Sequence, residues 1–141
     1  MLNILITGVG GQGTVLAAKL LAQAAQARGW QVRTAETIGM AQRGGSVVSH
    51  VRMGDKGEHV EAPLLNQATA DLIIAFEPGE AARCLPYLAS GGTLVTASSA
   101  VQPITAALSG SGYSGSGAIE GLHRALDGTD ARLLVVNDAE L

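Results

Sequence analysis

Residues Leu2 to Thr7 form an apolar run broken only by Asn3, and the run ends in Gly8-Val9-Gly10-Gly11-Gln12-Gly13. A continuous apolar stretch of this length suits a strand covered on both faces, as in a parallel sheet. From Thr14 to Arg28 the polar residues Lys19, Gln23 and Gln26 recur at spacings of four and three, with Val15, Leu16, Leu20, Leu21 and alanines between them. That periodicity predicts a helix with a single wet stripe, stopped by Gly29. Trp30, Val32 and Thr34 then alternate within Trp30 to Glu36, which reads as a second strand. A strand, a glycine corner and a helix in immediate succession constrain this chain more than any other feature: they predict a β-α-β opening.

The rest of the chain continues the alternation. Ile38 to Ser46 has neither helical nor strand periodicity and reads as a loop. Val47, Ser49, Val51 and Met53 alternate with Val48, His50 and Arg52. Gly54-Asp55-Lys56-Gly57 can turn that strand back toward His59-Val60-Glu61, so an antiparallel hairpin is expected. Ala70 to Phe76 reads as a buried strand, and Pro78 suits the first turn of a short helix running to about Leu85, its last turn weakened by Pro86. Gly91-Gly92 closes that segment before a strand from Thr93 to Ala97. Ser109 to Gly117 holds four serines and four glycines and is expected to be a mobile surface loop. Ala118 to Leu126 reads as a helix with Leu122 and Leu126 inward, and Arg132 to Val136 as a last strand. The expected fold is α/β: one three-layer Rossmann-like domain over residues 1–141, its sheet mostly parallel with an antiparallel hairpin.

Composition narrows the function. Of 141 residues 47% are hydrophobic, enough for one core. Nine basic against twelve acidic side chains form no like-charged run, so no nucleic acid partner is expected. No apolar stretch approaches the ~18 residues of a membrane span, and Met1-Leu2-Asn3 lacks a secretory layout, so the expected setting is cytoplasmic, without a membrane partner. The lone Cys84 excludes an internal disulfide and any four-cysteine zinc site or iron–sulfur cluster supplied by this chain alone.

Gly8-Val9-Gly10-Gly11-Gln12-Gly13 fits G-x-G-x-x-G, between a buried strand and a helix. Missing Cβ atoms let the turn tighten and let a phosphate reach main-chain N–H groups, and the helix N-terminus adds partial positive charge. The alternative is that these glycines serve close strand–helix packing only. Glu36 stands where a dinucleotide-binding fold places its ribose-holding carboxylate, or is a solvated strand end. Arg43 beside Gly44-Gly45-Ser46 can form an anion clamp or an ordinary connector. His50, His59 and His123 lack metal-ligand spacing, so no metal site is expected. Cys84 reads as a small core residue, and Ser98-Ser99, without an elbow motif, as loop residues.

Two longer segments carry a resemblance. Thr7-Gly8-Val9-Gly10-Gly11-Gln12-Gly13-Thr14-Val15-Leu16-Ala17, and Ala35-Glu36-Thr37-Ile38-Gly39-Met40-Ala41-Gln42-Arg43-Gly44-Gly45-Ser46-Val47-Val48-Ser49-His50-Val51-Arg52, resemble the gamma-type domain of 2-oxoacid:ferredoxin oxidoreductases, indolepyruvate-type members above all. Ala70 to Pro78, Glu80-Ala81, Tyr87-Leu88 and Gly91-Gly92 continue the likeness, which fades after about Val101.

The resemblance implies a complex that decarboxylates an aryl-2-oxoacid on thiamine diphosphate, sends electrons through iron–sulfur clusters to ferredoxin and leaves the acyl group on coenzyme A. It implies that a larger partner subunit holds the thiamine diphosphate and the clusters, and that this chain alone is inactive. Its own share would be to receive coenzyme A or close the reaction chamber, using Gly8, Gly10, Gly11, Gln12 and Gly13 with Arg43, Gly44, Gly45 and Ser46. The family pattern continues into a further helical portion where this chain stops at Leu141, which implies C-terminal truncation or a degenerate paralogue. Two other readings stand beside it: a stand-alone NAD- or FAD-binding module, and a non-enzymatic scaffolding paralogue.

Overall fold

The computed structural model describes residues 1–10, 12–38, 45–55, 57–99 and 115–138. The elements are β1 (Leu2–Val9), α1 (Thr14–Ala27), β2 (Gln31–Ile38), β3 (Ser46–Gly54), β4 (Ala70–Ala75), α2 (Pro78–Cys84), β5 (Leu88–Ala97), α3 (Gly115–Leu126) and β6 (Arg132–Val136), with a 3-10 turn at Leu85–Tyr87. The six strands form one mixed sheet in the order β2-β3-β1-β4-β5-β6. β1, β4, β5 and β6 run parallel, whereas β3 is antiparallel to both of its neighbours, β1 and β2. The expected three-layer α/β domain with a mostly parallel sheet is therefore present.

Alternation along β1 sends side chains to two cores. Leu5 packs with Ile73, Ala75 and Leu94 beneath α2 and α3, through Ala81, Cys84 and Leu122. Ile4 and Ile6 pack with Val51 and Met53 beneath α1, through Ala18 and Ala25. The face of α1 toward the sheet is thus lined by alanines, which let the helix lie close. Leu16 and Leu20, which lie outside the single wet stripe expected, are nevertheless 61% and 58% exposed. Each lies two positions from Ala18, about 200° around a helix of 3.6 residues per turn, and so points away from the sheet.

The antiparallel partner also differs from the expected one. Residues 59–61 form no strand, because β3 already spends both of its edges, on β1 and on β2. The antiparallel pair is β2–β3. Val60 is nevertheless fully buried: its N–H donates to the Gln31 amide oxygen at 3.2 Å and its carbonyl accepts from Arg33 Nε at 3.3 Å.

Helix α2 opens as its sequence predicts. Pro78 occupies the first turn, and the Glu77 carboxylate caps it by accepting the Glu80 N–H at 3.0 Å. β5 begins at Leu88 rather than Thr93. Gly91-Gly92 does not end the segment but carries a bulge, the register jumping from Ala70↔Leu88 to Leu72↔Thr93. Gly91 has φ 75°, and a Cβ on Gly92 would stand 2.9 Å from the Ala70 carbonyl, so the bulge requires both glycines. Helix α3 takes in residues 115–117 of the expected loop; positions 109–114 lie outside the described residues.

Candidate functional site

The chain leaves β1 for α1 on one face of the sheet and leaves β4 for α2 on the other, so the carboxyl ends of β1 and β4 bound a topological switch point. The glycine corner stands there. Gln12, a filler position in the motif, organises it. Its Oε1 accepts the Val9 N–H at 2.7 Å, its Nε2 donates to the Phe76 carbonyl at 3.3 Å, and its own N–H donates to the Val9 carbonyl at 3.2 Å. Gly8 is needed for this arrangement, since a Cβ would stand 2.7 Å from Gln12 Oε1. Gly13, at the N-cap of α1, has φ 89° and no side chain caps the helix after it.

The corner touches the Gly45-Ser46 segment: the Gly10 N–H donates to the Gly45 carbonyl at 2.9 Å. The amides of Val9, Gly10 and Gln12 are thus all directed to partners inside the protein. Of the described corner, the uncapped first turn of α1 is what remains to receive an anion. Gly11, Arg43 and Gly44 lie outside the described residues.

Ser46 reaches a group the sequence reading passed over. Its hydroxyl donates to Glu80 Oε1 at 3.0 Å and accepts from the Arg83 guanidinium at 2.6 Å. Glu80 is only 4% exposed, and its Oε2 has no hydrogen-bond partner. Arg83 stands 3.7 Å from the Glu80 carboxylate and is itself mostly exposed. The capping spacing Glu77-x-x-Glu80 is visible in the sequence, but the 34 positions between Ser46 and Glu80 hide their meeting. Here the switch point presents two buried carboxylates, Glu77 and Glu80, beside one guanidinium.

The remaining candidates fall elsewhere. Glu36 pairs across β3 with Ser49, which pairs with Ile6. The antiparallel strand sets Glu36 two strand spacings, about 10 Å, from β1, and level with a residue about 13 Å short of Gly10. A carboxylate there cannot hold the ribose of a nucleotide seated on the corner. The His50 ring is buried; its Nδ1 accepts the Leu65 N–H at 3.2 Å, and it meets Tyr87 edge to face at 6.0 Å. Burial holds its pKa below the usual imidazole value, against a weaker upward pull from Glu36. Burial likewise pushes the Cys84 thiol up, the neighbouring Thr7 hydroxyl partly opposing it, so this is a core residue rather than a nucleophile. Ser98 and Ser99 serve the Asp138 carboxylate, which accepts the Ser99 N–H at 2.9 Å.

Among the described residues no group of three or more His, Cys, Asp or Glu could hold a metal ion. With one cysteine in the whole sequence, buried in the core, the chain does not supply the four thiolates of an iron–sulfur cluster. No helix of the described residues is long and apolar enough to cross a membrane.

The sheet order, the glycine corner and the switch point define a Rossmann-like α/β domain. Residues 3–140 match the family model described as pyruvate ferredoxin/flavodoxin oxidoreductase, and the chain belongs to that family. It is 46% identical over 102 residues to the indolepyruvate oxidoreductase subunit IorB of Pyrococcus horikoshii, a match covering 72% of this chain and 49% of that protein. The chain spans about half the length of the curated relatives it matches. Among solved structures, pyruvate oxidoreductase subunit PORC of Thermotoga maritima superposes with a TM-score of 0.65 at 19% identity, covering 99% of this chain and 63% of that one. The 2-oxoglutarate:ferredoxin oxidoreductase of Magnetococcus marinus, solved with 2-oxoglutarate, coenzyme A and succinyl-CoA bound, has a TM-score of 0.58 at 24% identity, covering 67% of this chain and 16% of that one. Both likenesses are of fold.

Proposed function

We propose that this chain is the gamma-type component of an indolepyruvate-type 2-oxoacid:ferredoxin oxidoreductase. In this reading a larger partner subunit carries thiamine diphosphate and the iron–sulfur clusters, and the assembled complex converts an aryl-2-oxoacid to its acyl-CoA with electrons passing to ferredoxin. The observation that carries the reading is the 46% identity to an indolepyruvate oxidoreductase subunit. The single cysteine of this chain supports placing the iron–sulfur clusters on the partner.

For the domain itself we assign a receiving role at the switch point. The open first turn of α1 offers N–H groups to one phosphate of coenzyme A, with Gly8, Gly10, Gly11, Gln12 and Gly13 setting its position, and Arg43, Gly44, Gly45 and Ser46 closing the same crevice. The adjacency of Gly10 and Gly45 supports treating these two segments as one site. Placing Ser46 between Glu80 and Arg83 gives it a fixed orientation there.

The test is reconstitution. Co-expressed with the large subunit, the chain is expected to support indolepyruvate- and coenzyme A-dependent reduction of ferredoxin, and neither chain alone to do so. Arg43→Ala in the reassembled complex is expected to raise the KM for coenzyme A at least several-fold while the KM for the oxoacid stays put. A reconstituted complex without oxoacid oxidation overturns the functional reading; unchanged coenzyme A kinetics overturns the receiving role alone.

A further inference from the structure

The amino ends of the parallel strands carry a second concave feature, about 20 Å along the strand direction from the carboxyl ends where the switch point lies. It is a groove of about 480 Å³ between the 3-10 turn, the start of β5 and the end of α3, and its walls are built from described residues. Leu85, Leu88 and Leu126 make those walls largely apolar. The volume lies in the range of roughly 300–1,000 Å³ that small organic ligands occupy. Ser90 and Asp130 add polar atoms, and Asp130 is the one charged residue of the lining.

The fold sets the Asp130 carboxylate in place. The bulge at Gly91-Gly92 takes Gly91 out of the β4–β5 register, with φ 75°, and frees its N–H to donate to Asp130 Oδ1 at 2.9 Å. The Ser90 hydroxyl donates to Asp130 Oδ2 at 2.9 Å. These two donors, Gly91 first, hold the carboxyl below the usual carboxylate range, so it is charged at neutral pH.

No cation answers that charge. Among the described residues no Lys, Arg or His forms an ion pair with Asp130. Arg124 lies two positions from the inward Leu122, about 200° around α3, and so points away from the sheet. Arg132 precedes Leu133, which packs on the α3 side, so alternation sends Arg132 to the opposite face. Each carboxylate oxygen accepts one bond within the protein and has capacity for another. An anionic or neutral occupant would strip water from this carboxylate and give nothing back, whereas a cation replaces that water with a charge-assisted hydrogen bond.

We propose that this groove binds a small organic ammonium, a protonated primary amine on an apolar body, whose N–H groups donate to Asp130 while the body lies against Leu85, Leu88 and Leu126. The site stands apart from the receiving role assigned at the switch point and does not depend on it.

Phenethylamine serves as the probe, followed through the backbone amide resonances of the isotope-labelled chain. It is expected to shift the Ser90, Gly91 and Leu126 amides saturably. It should bind at least about tenfold tighter than phenethyl alcohol, which lacks the charge, and than butylamine, which lacks the ring. Phenylpropionate, with the charge reversed, should not bind. Asp130→Asn is expected to bring phenethylamine down to the affinity of the alcohol. Ala125→Trp fills the groove from an exposed wall position with Asp130 intact and should block amine and alcohol alike. The ligand-free spectrum of each variant reports whether the fold is kept, and Ala125→Trp carries the test if Asp130→Asn unfolds. No saturable shift at about 10 mM phenethylamine, shifts confined to other parts of the chain, butylamine binding equally well, or indifference to Ala125→Trp would each overturn the proposal.

Discussion

At the residue scale, His50 carries the clearest linkage between environment and stability. Burial lowers its pKa in the folded chain, so around pH 6.5 the unfolded chain binds a proton that the folded one refuses. The sign follows directly: the neutral ring contributes stability fully above pH 6.5, and that contribution is lost as pH falls through the lowered folded value. Protonation at Nδ1 would also take the acceptor from the buried Leu65 N–H. The urea midpoint should therefore fall between about pH 7 and about pH 5, and His50→Gln should flatten that slope, as equilibrium unfolding at each pH would reveal. The sequence marked His50 only by its alternation on a strand. Its burial depends on Leu65 and Tyr87, fifteen and thirty-seven positions away by their numbers, and no local pattern announces them.

At the element scale, helices α1 and α3 show how far periodicity reads. Leu122 was legible as an inward residue and is fully buried, because α3 meets the sheet along one simple stripe. In α1 almost every position outside the wet stripe is apolar, so pattern alone does not fix the phase. Close packing chose the alanines and left Leu16 and Leu20 outside. The two cases separate in thermodynamic stability. Leu122→Ala should cost about 2–5 kcal/mol, whereas Leu16→Gln should change stability by less than about 0.5 kcal/mol. Denaturant unfolding of both variants measures this, and a large loss for Leu16→Gln would mean that α1 packs otherwise. The hairpin is the converse lesson. Gly54 to Gly57 has the composition of a tight reversal, yet the edge of β3 that residues 59–61 would need is taken by β2.

At the scale of the whole molecule, sheet order separates this domain from a dinucleotide binder that shares its opening motif. Inserting β3 between β1 and β2 carries Glu36 away from the corner. Calorimetric titration of the chain with NAD is therefore expected to show no binding that Glu36→Ala abolishes, and Glu36-dependent NAD binding would contradict the geometry above. The same corner turns Val9, Gly10 and Gln12 amides inward, so a motif that in isolation reads as a phosphate cradle is here largely a packing device with one open helix end.

The glycine corner, the buried strands and the helix caps were determined by the sequence itself, because each rests on neighbours a few residues apart: a missing Cβ, a proline ring, an alternation of two or of three to four. The β6 span and the first turn of α2 are legible for that reason. The tertiary structure alone decided which strand lies beside which, which face of α1 is buried, and that Ser46, Glu80 and Arg83 converge at the switch point. Those outcomes come from contacts between distant parts of the chain, where many pairings satisfy the same local pattern and only packing and hydrogen-bond satisfaction choose among them.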